Sequence, residues 1–415
     1  MPDAAAPGST APEPTVLIAG GGPAGMMAGL LFARAGVNTL VLEKHADFLR
    51  DFRGDTVHPS TLELFAELGL LDELLQRKHD EARQLNVLIG GRHYTVADFT
   101  HLPTPSGFIA LMPQWEFLDF VSTTASRLKT FALRMKTEAV DLVVSNGRVT
   151  GVKLSDGSTI SAKLVIAADG RHSRLREAAG LHREDLGAPM DVFWFRMPKP
   201  QEADNQTTGI FGSGRILVLI DRGDYWQCAF VIPKGGADTV KARGIDQFRR
   251  GVVAAAPFLV PAIEALKSFD DIKLLSVALD RLTHWSRPGF LAIGDAAHAM
   301  SPIGGVGINL AIQDAVAAAN ILAAPLKTGA DVNPLLERVQ ARRMLATRAV
   351  QGAQRLIQDR IIGRVLTQTP QPGTDKAPFI VRLLDRWPML QRIPARLVGL
   401  GVRREHIHSP DAFRT

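Results

Sequence analysis

The chain has 415 residues, 46% of them hydrophobic and 22% charged, with a formal net charge of +6. This length exceeds what a single core supports, so two domains are expected, and the composition excludes wholesale disorder. Lys and Arg are spread along the whole chain and only two tyrosines occur, so the charge suits small anions such as phosphates and gives no nucleic-acid surface.

From Met1 to Pro14 the chain lacks a basic start and an apolar core, which reads as a loose tail rather than a signal peptide. No run of about 18 uncharged apolar residues follows, so no membrane-spanning helix is expected. The single cysteine, Cys228, excludes an intramolecular disulfide and suits a reducing cytoplasm.

The stretch TVLIAGGGPAGMMAGLLFARAGVNTLVLEKH then reads as strand, glycine turn, helix and second strand. Gly20, Gly22 and Gly25 form G-x-G-x-x-G directly after the strand Thr15–Ala19. The first glycine permits the turn, the second a close approach to a pyrophosphate, and the third close helix–sheet packing. Pro23 and Ala24 open the helix, whose N-terminus offers N–H groups to phosphate. Glu43, followed by Lys44, ends the second strand where a carboxylate can accept ribose hydroxyls. This pattern holds a dinucleotide, but it does not separate FAD from a nicotinamide nucleotide.

FRGDTVHPSTLELFAELGL supplies a loop arginine, Arg53, and then a helix carrying His58 near its start. VLIGGRHYTVADF at 87–99 predicts strands, and LMPQWEFLDFV a helix beginning near Gln114. Lys163–Ala168 reads as a buried strand that stops at Asp169-Gly170, with Ser173 and Arg176 opening a helix; in isolation Ser173 is an ordinary N-cap. Between 183 and 274, short aromatic and β-branched runs separated by Gly and Asp turns predict an antiparallel sheet. There Trp194 and Arg196 share one face and Phe193 and Phe195 the other.

Phe290–Ile293 reads as a strand ending at Gly294-Asp295. A loop rich in Pro and Gly follows, and then a small-residue helix from about Gly307 to Leu322. Asp295 suits hydrogen bonds to a polyol. The backbone of Gly304, Gly305, Gly307, Ile308 and Asn309 suits a ring edge that becomes negative on reduction. Residues 334–366 have helical periodicity, TQTPQPGTDKAP is a loop, and the basic end RLLDRWPMLQRIPARLVGLGVRREHIH predicts a helix packed on the body with its arginines in water. No second G-x-G-x-x-G occurs, so a nicotinamide nucleotide has no Rossmann domain of its own.

The glycine fingerprint with Glu43, D-G-x-x-S-x-x-R at Asp169–Arg176 and G-D-A-A-H…P…G-x-N at Gly294–Asn309 together resemble the group A flavoprotein aromatic hydroxylases. This is the para-hydroxybenzoate hydroxylase family, and the match runs over roughly residues 14–330. The resemblance implies an α/β fold: a Rossmann-like FAD-binding domain, discontinuous over 14–80, 100–182 and 275–330. A substrate-binding antiparallel sheet from 81–99 and 183–274 is interleaved with it, and 331–415 form a helical C-terminus. FAD would lie extended, with its adenosine at Glu43 and its ring beside Pro302–Asn309. Arg53 would touch the flavin side and Gln114 the ribityl–pyrophosphate region, with Asp169 and Asp295 on the cofactor.

The family reaction uses NADPH or NADH as a transient co-substrate. The reduced flavin meets O2, and a flavin hydroperoxide hydroxylates a small phenolic or heteroaromatic ring. No metal is needed. Arg53, Pro302 and Gly305 stand at the reacting end. A base for a phenol would come from His58, His93, His101 or Tyr225, and Arg196, Arg215 and Gln227 are further candidates to line the pocket. His298 reads as a structural part of its loop. The resemblance leaves open a ubiquinone-pathway type hydroxylase and oxygenation of a non-aromatic or antibiotic substrate. A flavin halogenase is disfavoured, since CAFVIP lacks both tryptophans of W-x-W-x-I-P. A flavin-free scaffold is disfavoured by Asp295 and the loop glycines. A monomer or homodimer without membrane insertion, though open to peripheral contact, is expected.

Overall fold

The computed structural model describes residues 13–49, 55–199, 207–212, 214–367 and 376–413, and Arg53 lies outside them. Val16–Ala19, Thr39–Leu42 and Leu164–Ala167 are short runs without charge, and each is buried along its whole length. A strand buried on both faces belongs inside a parallel sheet covered by helices. The sheet runs 286–287, 290–292, 164–167, 16–19, 39–42, 131–134 in spatial order, parallel apart from the edge strand Ser286–Arg287. Its register brings Ala19, Leu42, Ala167 and Ala292 to one level. The turns after those residues therefore open side by side at the carboxyl end, where open α/β sheets bind ligands.

One helix, Pro23–Arg34, lies directly against this sheet. Pro23–Arg34 packs against Gly307–Lys327 through small residues. A side chain at Gly25 is impossible without movement, because its Cβ would stand 1.9 Å from the Gly20 carbonyl oxygen. The segment Ile303–Lys327 is long and apolar enough to cross a bilayer, but it is largely buried within the protein and serves as the core helix. Ala139–Ser145, Arg148–Leu154 and Thr159–Ser161 add a small separate sheet.

The second large sheet has seven strands, in the order 273–275, 190–198, 225–233, 215–221, 208–212, 84–89, 92–98. The expectation of a purely antiparallel sheet needs correction at one pair: Gln84–Ile89 runs parallel to Thr208–Gly212. The strands at 84–98 enter from a distant part of the chain, so hairpin geometry does not fix their direction. One face carries Phe193, Phe195 and Phe230, whose rings meet Phe248 of the helix Ile245–Ala255 at 5.3–5.7 Å. The other face carries Val192, Trp194, Ile216, Ala229 and Val231 and packs against Ile303, Ile357 and Ile362. Period-two alternation is thereby resolved: the Trp194 and Arg196 face looks toward the 302–309 loop.

The helix Asn333–Ile357 continues through one wide π turn, Gln358–Ile362, into Gly363–Thr367. A helical hairpin, Phe379–Arg386 and Pro388–Gly399, packs on the edge strand Arg92–Asp98.

Candidate functional site

The site is assembled from the turns at the carboxyl end of the parallel sheet. Glu43 is buried: its Oε2 accepts the Gly21 N–H at 2.9 Å and its Oε1 the His45 N–H at 3.0 Å. Lys44 beside it is exposed. At Gly22 an added Cβ would meet nothing within 4 Å, so the backbone there is open to close approach. The fingerprint helix starts at Pro23, whose missing N–H costs nothing at that position, and Ala24 packs toward Gly294. This is the geometry a pyrophosphate requires, and the residues fit FAD at this end.

Asp169 follows the neighbouring strand. Its Oδ2 accepts the Leu175 N–H at 3.4 Å, while its Oδ1 is buried and has no hydrogen-bond partner among the described residues. Burial pushes its carboxyl above the ordinary range. Ser173 is the N-cap, accepting the Arg176 N–H at 3.0 Å. Arg176 then donates to the carbonyls of Ala296 and Arg171 at 3.2 and 2.9 Å. The D-G-x-x-S-x-x-R stretch thus braces the turn Gly294–Ala296. Asp295 in that turn keeps about a third of its side chain accessible, with Arg171 at 3.7 Å. Behind it, Asp314 accepts the Gly294 N–H at 3.1 Å, the His298 Nε2–H at 2.6 Å and the Arg343 Nε–H at 3.0 Å. His298 is buried within this network.

The loop Pro302–Gly307 is held from below. Thr56 Oγ1 donates to the Gly305 carbonyl at 2.9 Å. Gly305 has φ +62°, and a Cβ there would stand 2.3 Å from Thr56 Oγ1, so only glycine fits. Asn309 accepts from His58 N–H and Thr61 Oγ1, both at 2.8 Å, and donates to the carbonyls of Thr56 and Gly305 at 3.0 and 3.2 Å. Every hydrogen-bonding site of its amide is taken. The expectation that Asn309 binds cofactor therefore narrows to its backbone N–H. It shares the start of the core helix with Gly307 and Ile308, ahead of the first helical bond from Leu310 N–H to Val306 O.

His58 is held in the interior, with its Nε2 unpartnered among the described residues. Its Nδ1 lies 2.8 Å from the Val398 carbonyl, the residue is buried, and burial lowers its pKa to about 4. His93 and His101 are exposed. Tyr225 opens a roof strand with the Arg196 guanidinium 5.0 Å above its ring.

Two features were not anticipated. Arg222, in a roof-sheet turn, is buried against Asp55 at 2.6 Å and also bonds Leu111 O and Gln227 Oε1. Asp55 in turn accepts the Gln114 N–H at 3.3 Å, so one ion pair joins the roof to the start of the Gln114 helix. No local pattern marks a pair so far apart in the chain. The other feature is a run of buried glutamines on one helix face. Gln351 bonds Asp280 O and Ala299 O, and Gln354 bonds Ser301 O and Ile303 O. One turn on, Gln358 is buried with its Nε2 unpartnered among the described residues. The i, i+3, i+7 spacing was visible, but nothing in the sequence said which face was buried.

The FAD binding domain family matches residues 13–353. The 6-methylpretetramide 4-monooxygenase of Streptomyces rimosus is 30% identical over 389 residues, covering 92% of this chain and 91% of that one. The aklavinone 12-hydroxylase DnrF of Streptomyces peucetius is 29% identical over 382 residues, covering 82% and 73%. Among solved structures, Pseudomonas aeruginosa PqsL in complex with 2-aminobenzoylacetate superposes with a TM-score of 0.72 at 22% identity, covering 85% of this chain and 98% of that one. The chain belongs to the FAD binding domain family and is an FAD-dependent monooxygenase of the aromatic-hydroxylase type.

Proposed function

We propose that this monooxygenase uses NADPH or NADH and O2 to hydroxylate an aromatic ring of the polyketide kind. The observation that carries the reading is the apolar face of the roof sheet, with Trp194, Val218 and Ala229, closing over Ile303 of the 302–309 loop. A flat apolar ring would suit a slot opened between such a sheet and that loop. The names of the relatives along most of the chain, a pretetramide monooxygenase and an aklavinone hydroxylase, support a polycyclic aromatic.

Gly20, Gly22, Gly25 and Pro23 would hold the FAD pyrophosphate, Glu43 the adenosine ribose, and Gln114, Asp169 and Asp295 the polyol chain. Arg53 and the backbone from Pro302 to Asn309 would face the ring. When bound, FAD supplies electron transfer and oxygen activation. The chain's own part is to orient the aromatic, exclude water and stabilise charge. The N–H groups of Gly307, Ile308 and Asn309 would stabilise negative charge at the ring edge. The roof and the π-turn segment would keep water out. The Gln358 Nε2–H would donate to a carbonyl or phenolic oxygen of the substrate, fixing its orientation. No histidine of the predicted pool stands on the roof face, so a phenolic proton would leave through Tyr225 and Arg196 or through solvent.

The test is purification with FAD, followed by a screen of polycyclic aromatics for NAD(P)H oxidation with products identified by mass. A product one oxygen atom heavier supports the reading. Nucleotide oxidation without any oxygenated product across such a screen would refute it.

A further inference from the structure

The helical hairpin Phe379–Gly399 departs from an ordinary surface helix, which turns its apolar face inward: here large apolar residues face outward together with the arginines. Its small and polar residues point in. Gln391 is buried and donates to Leu384 O, Ala395 is fully buried, and a Cβ on Gly399 would come within 2.7 Å of Leu102. Phe379, Ile380, Trp387, Met389, Ile393 and Leu397 instead leave 55–74% of their surface in solvent. Single exposed apolar residues are commonplace, but six large ones on one hairpin are not.

Charge is distributed with the same polarity. On the second helix Met389, Ile393 and Leu397 are spaced i, i+4, i+8 and form one stripe, with Arg392 and Arg396 exposed alongside it. Arg382 and Arg386 are exposed on the first helix. The one carboxylate between Lys376 and Leu400, Asp385, faces the other way, accepting the Thr95 N–H at 3.1 Å and pairing with Arg92 at 3.4 Å.

We infer that the hairpin is a docking surface for an anionic lipid bilayer. It lies in the headgroup plane, with Trp387, Met389, Ile393 and Leu397 at the acyl boundary and the four arginines on lipid phosphates. A second copy of the chain fits less well. A two-fold contact along the stripe would set Arg392 and Arg396 against their own copies, with no carboxylate on the face to offset them. The inference is independent of which ring the enzyme oxidises.

The test is co-sedimentation of the full-length, FAD-loaded protein with vesicles of phosphatidylcholine alone or mixed in equal parts with phosphatidylglycerol. Binding is expected to the anionic vesicles only, weakening as salt is raised, with a blue shift of Trp387 emission that is absent in Trp387→Phe. Arg392→Gln with Arg396→Gln should weaken partitioning by about tenfold or more, and Met389→Ser with Ile393→Ser by a similar factor. These side chains lie outside the cofactor site, so unchanged flavin content shows that the variants are folded. Equal binding to both vesicle types, or no loss in either double variant, overturns the inference. So does binding to polyglutamate as tight as to anionic vesicles, which would mark an acidic protein as the occupant. A dimer in lipid-free buffer that Ile393→Asp dissociates would assign the face to a second copy.

Discussion

Arg222 reaches from a turn of the roof sheet to Asp55, Nη2 to Oδ2 at 2.6 Å, with both side chains almost sealed from water. Burial raises the Asp55 carboxyl, and the Arg222 guanidinium opposes that rise. Arg222→Met leaves a buried carboxylate alone and is expected to cost about 3–5 kcal/mol of stability. Urea denaturation should also show that Asp55→Asn combined with Arg222→Met loses less than the sum of the single changes. Additive losses would mean the two residues are not coupled.

His58 gives the fold a pH dependence of definite sign. Its folded pKa, about 4, lies below its unfolded value of 6.5. The folded state therefore binds fewer protons, and its contribution is fully present above pH 6.5 and is lost as pH falls toward 4. The full shift is worth up to about 3 kcal/mol. His58→Gln should flatten the fall in melting temperature between pH 7 and pH 5, and an unchanged slope would locate the titration elsewhere.

Asp295 is expected to act on cofactor retention. A hydrogen bond to a charged group is worth about 1.5–3 kcal/mol, so Asp295→Ala should weaken FAD about ten- to a hundredfold. Fluorescence titration of the apoprotein measures this, and wild-type affinity would place Asp295 off the cofactor.

Two glycines of one loop should behave differently. A side chain at Gly305 strikes Thr56, whereas one at Gly307 meets only Met300 Cβ at an ordinary 3.5 Å. Gly305→Val should shift turnover from hydroxylated product toward hydrogen peroxide, while Gly307→Ala should keep the wild-type ratio. A wild-type product-to-peroxide ratio in Gly305→Val would remove this loop from the reacting edge.

Gln358→Leu removes the unpartnered amide and keeps the bulk of the side chain. With the proposed aromatic substrate, KM should rise about tenfold, the worth of one hydrogen bond, while FAD affinity stays the same. A KM within error of wild type would show that the amide never meets substrate.

Much of the cofactor half was legible in the sequence, because its signals are local. Gly20–Gly25 and the strand ends at Glu43, Asp169 and Asp295 each declare themselves within a few residues, and parallel register aligns them. The motif position of Asn309 is silent about the four bonds that occupy its side-chain amide. The surroundings of His58 were illegible for a related reason: a histidine looks alike in sequence whether it meets solvent, substrate or the Val398 carbonyl. The Arg222–Asp55 pair was invisible, since it depends on how the roof lies over the parallel sheet and not on any spacing.

The parallel pairing of Gln84–Ile89 with Thr208–Gly212 has a consequence for synthesis on the ribosome. The strands 84–98 emerge long before their partner exists, so a nascent chain carries an open sheet edge while 99–207 is being made. Cutting the chain between its cofactor and roof segments would leave that edge bare in one fragment and its mate stranded in the other. Neither piece should be expressible as a stable unit, and separating the two functions by truncation should yield aggregates rather than domains.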